Sequence, residues 1–258
     1  MTTERFNVIG VGISIINLNT AVDTILAWRS RGEQHFVSTC TAHTLVECRR
    51  NEELRANINR AALATPDGMP LVWLAHKRGH SQVSRVYGPD LMLALCEAGL
   101  RHGLRHFFFG GAPGVPEQLV SKLRTRFPTL SVVGTLSPPF RNLTSDEDSS
   151  IVCQINAAHA DIVWVGLGTP KQDLWMADHI GRVRATALIG VGAAFDFHSG
   201  RVRQAPRWLQ RSGLEWLFRL IQEPRRLWRR YLVDNLIFVF HTGLQLLGLR
   251  SYPIEAEG

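Results

Sequence analysis

No stretch of about twenty apolar residues in this chain is free of charge, so nothing in it reads as a membrane-spanning helix. Cysteine is scarce. The four present (Cys40, Cys48, Cys96, Cys153) lie far apart, with no Cys-x-x-Cys and no zinc-ligand spacing. That excludes a disulfide framework and suggests buried free thiols in a reducing compartment. The opening Met1-Thr2-Thr3-Glu4-Arg5-Phe6 lacks the basic start and long apolar core of a signal peptide, and the chain is expected to be cytoplasmic. There is no internal repeat and no low-complexity linker. With 45% apolar and 20% charged residues the composition is that of a globular protein, not a disordered one. A length of 258 residues allows one large domain or two small ones.

Charge is present but unevenly placed. Nine arginines and two glutamates fall between Arg201 and Arg230, a local excess equal to the whole-chain net charge of +7. A basic end on a near-neutral body points to an anionic partner: nucleic acid, an anionic membrane or a phosphate-bearing substrate. In the same region Leu214, Leu217, Phe218 and Ile221 recur at helical spacing, and Trp208, Trp216 and Trp228 interleave with the arginines. Pro224 interrupts, and a second helix is expected over Arg225–Leu247. This tail reads either as an interfacial membrane element or as a helical pair with a solvated basic face.

Upstream, apolar strands alternate with amphipathic helices, which predicts an α/β protein with a mostly parallel sheet and helices on both faces. Expected strands lie at Phe6–Val11, with a further short one at Ile13–Ile15, and at His35–Thr39, His106–Phe109, Leu130–Thr135, Asp161–Val165 and Ala187–Ala193. One helix is expected through Leu45–Asn59. Gly10-Val11-Gly12 begins like a dinucleotide fingerprint but lacks the third glycine. Gly110-Gly111 and Gly166-Leu167-Gly168 each join a strand to a helix N-terminus, where bare N–H groups can cradle an anion or merely turn the chain. Asp146-Glu147-Asp148 matches a metal-binding Asp-x-Asp on paper but reads better as the acidic first turn of a helix capped by Thr144 or Ser145. In Thr65-Pro66-Asp67-Gly68-Met69-Pro70 two prolines bracket Asp67 between apolar runs. Asp67 is there either as ordinary turn chemistry or as a carboxylate on a rigid frame at the mouth of a cleft.

Taken in order, Thr65–Pro70, Arg85-Val86-Tyr87-Gly88-Pro89-Asp90, Phe109-Gly110-Gly111, Val165 to Asp173, and Gly192 to Phe197 through Arg207, Gly213-Leu214-Glu215-Trp216 and Arg219 resemble the WecG/TagA/CpsF glycosyltransferases of bacterial cell-surface polymer synthesis. The resemblance runs from about Phe6 to Leu232. It implies a Rossmann-like body (1–199) and a basic helical C-terminal appendage (200–258) that docks on the inner face of the cytoplasmic membrane. It also implies inverting, metal-independent transfer from a UDP-sugar to a polyprenyl-diphosphate-linked acceptor, with no cofactor and with homo-oligomers possible. By the same resemblance Asp67 matches the catalytic base. Thr39, Thr41 (an Asn in many members) and Gln172 match cleft positions, and Lys171 lies beside Gln172 in the same motif. Gly110, Gly111 and Gly168 belong to the glycine loops that can lie against a nucleotide. Asp196, at the end of the last expected strand and between two phenylalanines, reads either as a second candidate carboxylate or as a buried structural acid. Arg207, Arg219 and Arg226 match positions that hold the diphosphate. A nucleotide-dependent oxidoreductase and a basic nucleic-acid-binding protein are the rival readings.

Overall fold

The computed structural model describes residues 3–254, so Met1, Thr2 and the last four residues of the expected appendage lie outside the described residues. The strands are β1 (Arg5–Val8), β2 (Val11–Ser14), β3 (His35–Cys40), β4 (Leu63–Pro66), β5 (Arg105–Gly110), β6 (Ser131–Leu136), β7 (Ile162–Gly166) and β8 (Ala187–Gly190). Six of them form one sheet in the order β4-β3-β8-β7-β5-β6. The pairs β3/β8, β8/β7, β7/β5 and β5/β6 all run parallel, and helices fill the crossovers. The α/β expectation holds.

The chain forms two compact units, one of residues 18–38 and 88–203, the other of 1–17, 39–87 and 204–258. In the first, Phe108, Phe109, Trp164 and Phe195 are almost wholly buried, and Phe108 packs face-on against Trp164 and edge-on against Phe195. Each such side chain contributes about 1.5–3 kcal/mol by leaving water. Uninterrupted apolar strands are what a sheet covered on both faces requires. At their C-terminal ends β5 and β7 approach closely: Gly110 and Gly166 are register partners, and Gly111 N–H donates to Gly166 O at 3.0 Å. A Cβ on Gly110 would stand 2.5 Å from the Gly166 carbonyl carbon. The helix Ser145–Ala157 begins at Thr144, whose hydroxyl and Glu147 form a reciprocal capping box. Arg141 pairs with Glu147, while His179 and Arg182 engage Asp148. Two of the three carboxylates in Asp146-Glu147-Asp148 are thus occupied, which settles that stretch as an acidic first turn.

In the second unit three expectations are corrected, two in its N-terminal part and one in its C-terminal segment. The Phe6–Val11 segment is not one strand. β1 and β2 form an antiparallel hairpin whose two-residue turn, Ile9-Gly10, has positive φ at both positions (44° and 89°), as a tight hairpin turn demands. Hydrophobicity masked it, because an isoleucine rarely adopts that conformation. Ile9 N–H is held by Gln245 Oε1 and Gly10 N–H by Asn7 Oδ1, both at 2.9 Å. Gly10-Val11-Gly12 therefore builds a hairpin and not a dinucleotide loop. The helix expected through Leu45–Asn59 is two, Ala42–Arg50 and Glu52–Arg60. Asn51 ends the first and caps the second, accepting Leu54 N–H at 3.0 Å.

The C-terminal segment carries helices Arg207–Arg211, Glu215–Gln222, Pro224–Trp228 and Asp234–Leu246, the last two joined by a π-helical turn, Arg229–Val233. The segment expected as one regular helix over Arg225–Leu247 is thus interrupted in register. Asp234–Leu246 packs on Ala42–Arg50. There Asp234 accepts from His43 Nδ1 at 2.6 Å and pairs with Arg50 at 2.7 Å. No helix among the described residues is long and apolar enough to cross a membrane.

Candidate active site

Asp67 follows directly on β4 and precedes the helix Met69–Lys77, whose N-cap is Gly68 and whose second residue is Pro70. Its N–H donates to Cys40 O at the end of β3 (2.9 Å), so the backbone is pinned on both sides, and the residue is only 8% exposed. Thr39 and Thr41 flank Cys40 and so lie beside this pinned backbone. Thr39 is buried. Thr41 caps the helix Ala42–Arg50 in a capping box with Thr44.

The second turn motif lies alongside. Val86 N–H donates to Pro66 O at 3.0 Å, which brings Arg85 to Asp67. Arg85 Nε donates to the Asp67 carbonyl, and Nη2 stands 3.4 Å from its carboxylate. The same Nη2 lies 2.8 Å from Glu215, in the first turn of Glu215–Gln222. Tyr87 completes the group: its hydroxyl donates to Glu215 Oε1 at 2.6 Å, and its ring lies 3.9 Å under the Arg85 guanidinium. Burial works against the charge on Arg85, but Asp67 and Glu215 outweigh it and hold its pKa above the ordinary arginine value. Burial, then the Glu215 charge, pushes the Tyr87 phenol well above its usual range, so it stays a donor. The sequence alone did not single out Arg85, Tyr87 and Glu215. Their presence in the motifs was the available signal, but Glu215 looked like one acid among many arginines.

Of the appendage arginines, Arg219 is buried on the same helix face as Glu215. Arg207 is exposed and donates to Gln210 at 3.2 Å; Arg226 is exposed and paired with Glu223 at 2.6 Å. Arg230, on the π-helical turn, turns inward. Burial lowers its pKa, the charges of Arg219 and Arg226 push the same way, and Asp67 opposes them. Its Nε is buried without a hydrogen-bond partner. A carboxylate among inward-facing guanidiniums can accept a proton and hold an anion nearby.

In the other unit the glycine loops gather a second set. Gln172 is buried, and its Oε1 accepts Gly192 N–H at 3.1 Å. Asp173 is fully buried, accepting from Ser38 Oγ and from Thr169 Oγ1 (2.9 Å). Burial raises its pKa to about 6 against the pull of these hydrogen bonds. Gly110 and Gly111 lie at the end of β5, and Gly168 borders open space before the helix Lys171–His179. Lys171 is exposed. Asp196, expected at a strand end, is instead half-buried inside the short helix Ala194–Ser199 between buried Phe195 and Phe197, because β8 stops at Gly190.

Among the described residues, one group could offer three ligand atoms to a metal ion, His43, Glu47 and Asp234. Arg50 already bridges its two carboxylates at 2.5 and 2.7 Å, and Asp234 also accepts from His43, so this donor set fits a cation poorly.

A sequence model described as "Glycosyl transferase WecG/TagA/CpsF family" matches residues 6–252, nearly the whole chain. The chain belongs to the WecG/TagA/CpsF glycosyl transferase family. It is therefore a transferase of cell-surface polysaccharide synthesis with a sugar donor and an acceptor. For a member of this family the exterior of the C-terminal segment is also of note. Leu214, Leu217 and Ile221 are exposed while Glu215 and Arg219 are buried, so Glu215–Gln222 turns its apolar face outward. Leu236, Val239, Phe240 and Leu247 form a second exposed apolar stripe.

Proposed function

We propose that this WecG/TagA/CpsF transferase moves a hexose, N-acetylhexosamine or its uronic acid from a UDP-sugar to a polyprenyl-diphosphate-linked sugar, inverting the anomeric centre without a metal. Asp67 takes the proton from the acceptor hydroxyl as that oxygen attacks the anomeric carbon and UDP leaves. Arg219 and Arg230, with Arg207 and Arg226 from the exposed side, hold diphosphate charge in the place of a divalent cation. Thr39, Gln172, Gly110, Gly111, Gly168, Lys171 and Asp196 are assigned to the donor. The appendage lies on an anionic leaflet: the outward apolar faces enter the interface, and each arginine near the surface adds about 1 kcal/mol.

The observation that carries this reading is the buried Asp67 carboxylate, fixed by backbone on both sides and faced by inward-turned arginines. Ordinary turn chemistry needs neither the burial nor the arginines. The test is Asp67→Asn, assayed by UDP release with a soluble polyprenyl-diphosphate-GlcNAc analogue. Transfer should fall by about 10²–10⁴ while UDP binding persists, the range a positioned general base supplies. Turnover at the wild-type rate would overturn the assignment.

A further inference from the structure

Asp67 and Glu215 share one guanidinium, and they share it unequally. Arg85 Nη2 lies 2.8 Å from Glu215 and 3.4 Å from Asp67. Glu215 is held in that position by the Tyr87 hydroxyl at 2.6 Å, and Arg85 is held from below by the Tyr87 ring. Arg230, on the π-helical turn, feels the charge of Asp67, and Arg219, on the same helix as Glu215, and Arg226 act on Arg230 in turn. A carboxylate that closes fully on an arginine becomes a weak base, and a second carboxylate close by makes it a stronger one.

We propose that Glu215 is a positioning residue for the transfer: it draws Arg85 away from Asp67 and so keeps the Asp67 carboxylate basic. This rests on the reading of Asp67 as the base. Glu215 touches no reacting atom in this arrangement and acts through Arg85 alone. Its removal has two effects of the same sign. Asp67 loses a like-charged neighbour, and Arg85 becomes free to pair with it. Tyr87 supports the arrangement by donating to Glu215, and its raised pKa keeps that proton in place at any physiological pH.

The test uses the full-length chain and two readouts. The first is the pH profile of kcat/KM in UDP release with the acceptor analogue. In Glu215→Gln the acid limb moves to lower pH by about one unit, the low end of what a full arginine pairing does to an aspartate, and the plateau rate falls several-fold. In Arg85→Met the limb moves to higher pH. Glu215→Asp, which keeps the charge, restores the limb to near its wild-type position. The second readout is direct titration of the Asp67 carboxylate by carbon-13 NMR in wild type and Glu215→Gln, which does not depend on turnover. An Asp67 titration midpoint that is the same in both proteins overturns the proposal, as does a uniform loss of rate with the acid limb unmoved. Failure of the underlying reading looks different: Asp67→Asn then turns over normally, whatever the titration shows. Should Glu215→Gln fail to fold, Tyr87→Phe, which loosens Glu215 without removing a charge, must shift the limb in the same direction by a smaller amount; an unmoved limb there also overturns it.

Discussion

Replacing Asp173 by asparagine should change stability by an amount that grows with pH. Asp173 is fully buried, and burial lifts its pKa from the ordinary 3.8 to about 6 even though Ser38 and Thr169 hydroxyls donate to it. The folded state therefore binds this proton more tightly than the unfolded chain does. Its contribution is fully present below pH 3.8 and is lost as pH rises through about 6. The difference between the two values corresponds to about 3 kcal/mol. His106 runs the other way. It is buried against Trp164, whose indole N–H donates to its Nδ1 at 3.2 Å, and burial lowers its pKa from 6.5 to about 4. Its contribution is present above pH 6.5 and is lost as pH falls through about 4, again by about 3 kcal/mol. The two slopes oppose each other across the same window, so wild type hides both. The substituted asparagine cannot ionise, yet its carbonyl can accept from Ser38 and its amide can donate to the Thr169 oxygen. Asp173→Asn should match wild type near pH 4 and exceed it by up to about 3 kcal/mol at pH 8. Urea unfolding followed by tryptophan fluorescence at pH 4.5, 6 and 8 measures this. A difference between the two proteins that does not change with pH, or that favours wild type as pH rises, would refute the burial argument.

Two further outcomes test other parts of the structure. Gly110→Ala places a Cβ at φ 130° and 2.5 Å from the Gly166 carbonyl carbon, where only backbone could yield. Strain and overpacking together should cost about 2–6 kcal/mol. A melting temperature within two or so degrees of wild type would show that β5 and β7 part more easily than their register implies. The triple change Leu236→Ser, Val239→Ser and Phe240→Ser removes one exposed stripe and spares the buried face of Asp234, Phe238 and Thr242. Its melt should equal wild type while sedimentation with phosphatidylglycerol-containing vesicles drops at least about tenfold, given the transfer free energy of three apolar side chains. Unchanged sedimentation would sink the interfacial role of this helix. Removing everything after Gly200 is a poorer experiment, because Leu227, Tyr231, Phe238 and Tyr252 are buried.

Local signals carried well from sequence to structure. β5 and β7 are apolar runs ending in glycine, and both are strands. Thr144 followed three residues later by Glu147 predicts a capping box, and one forms. Two prolines around Asp67-Gly68 predict a turn between apolar segments, and β4 ends there as the next helix begins. The misses were also local. Ile9 hides a hairpin turn because its side chain says strand while its backbone must turn. Asn51 hides a helix break because one residue both ends and caps. Partnerships across long separations left no trace: Asp67 and Arg85 are eighteen residues apart, and Tyr87 finds Glu215 at a separation of 128.

The arginine-rich segment shows why composition could name a partner class and still not find the residues. Counting charge treats all nine arginines alike, and the spacing of Leu214, Leu217 and Ile221 marks an apolar helical face without deciding whether it meets protein or a membrane interface. In the structure that face is outside, and the charged face of the same helix, Glu215 and Arg219, is inside. Such an inversion is costly unless buried charges find opposite charges and exposed apolar surface finds a non-aqueous neighbour. The first condition is met, since Glu215 meets Arg85 and Tyr87. The π-helical turn then brings Arg230 inward while Arg225, Arg226 and Arg229 stay exposed. An extra residue per turn rotates everything after it, so no regular helical wheel drawn from Arg225 could have picked Arg230 out. The second condition, a partner for the outward face, is what the vesicle experiment decides: if the stripe meets no lipid, the inversion of this helix has only half of its physical explanation.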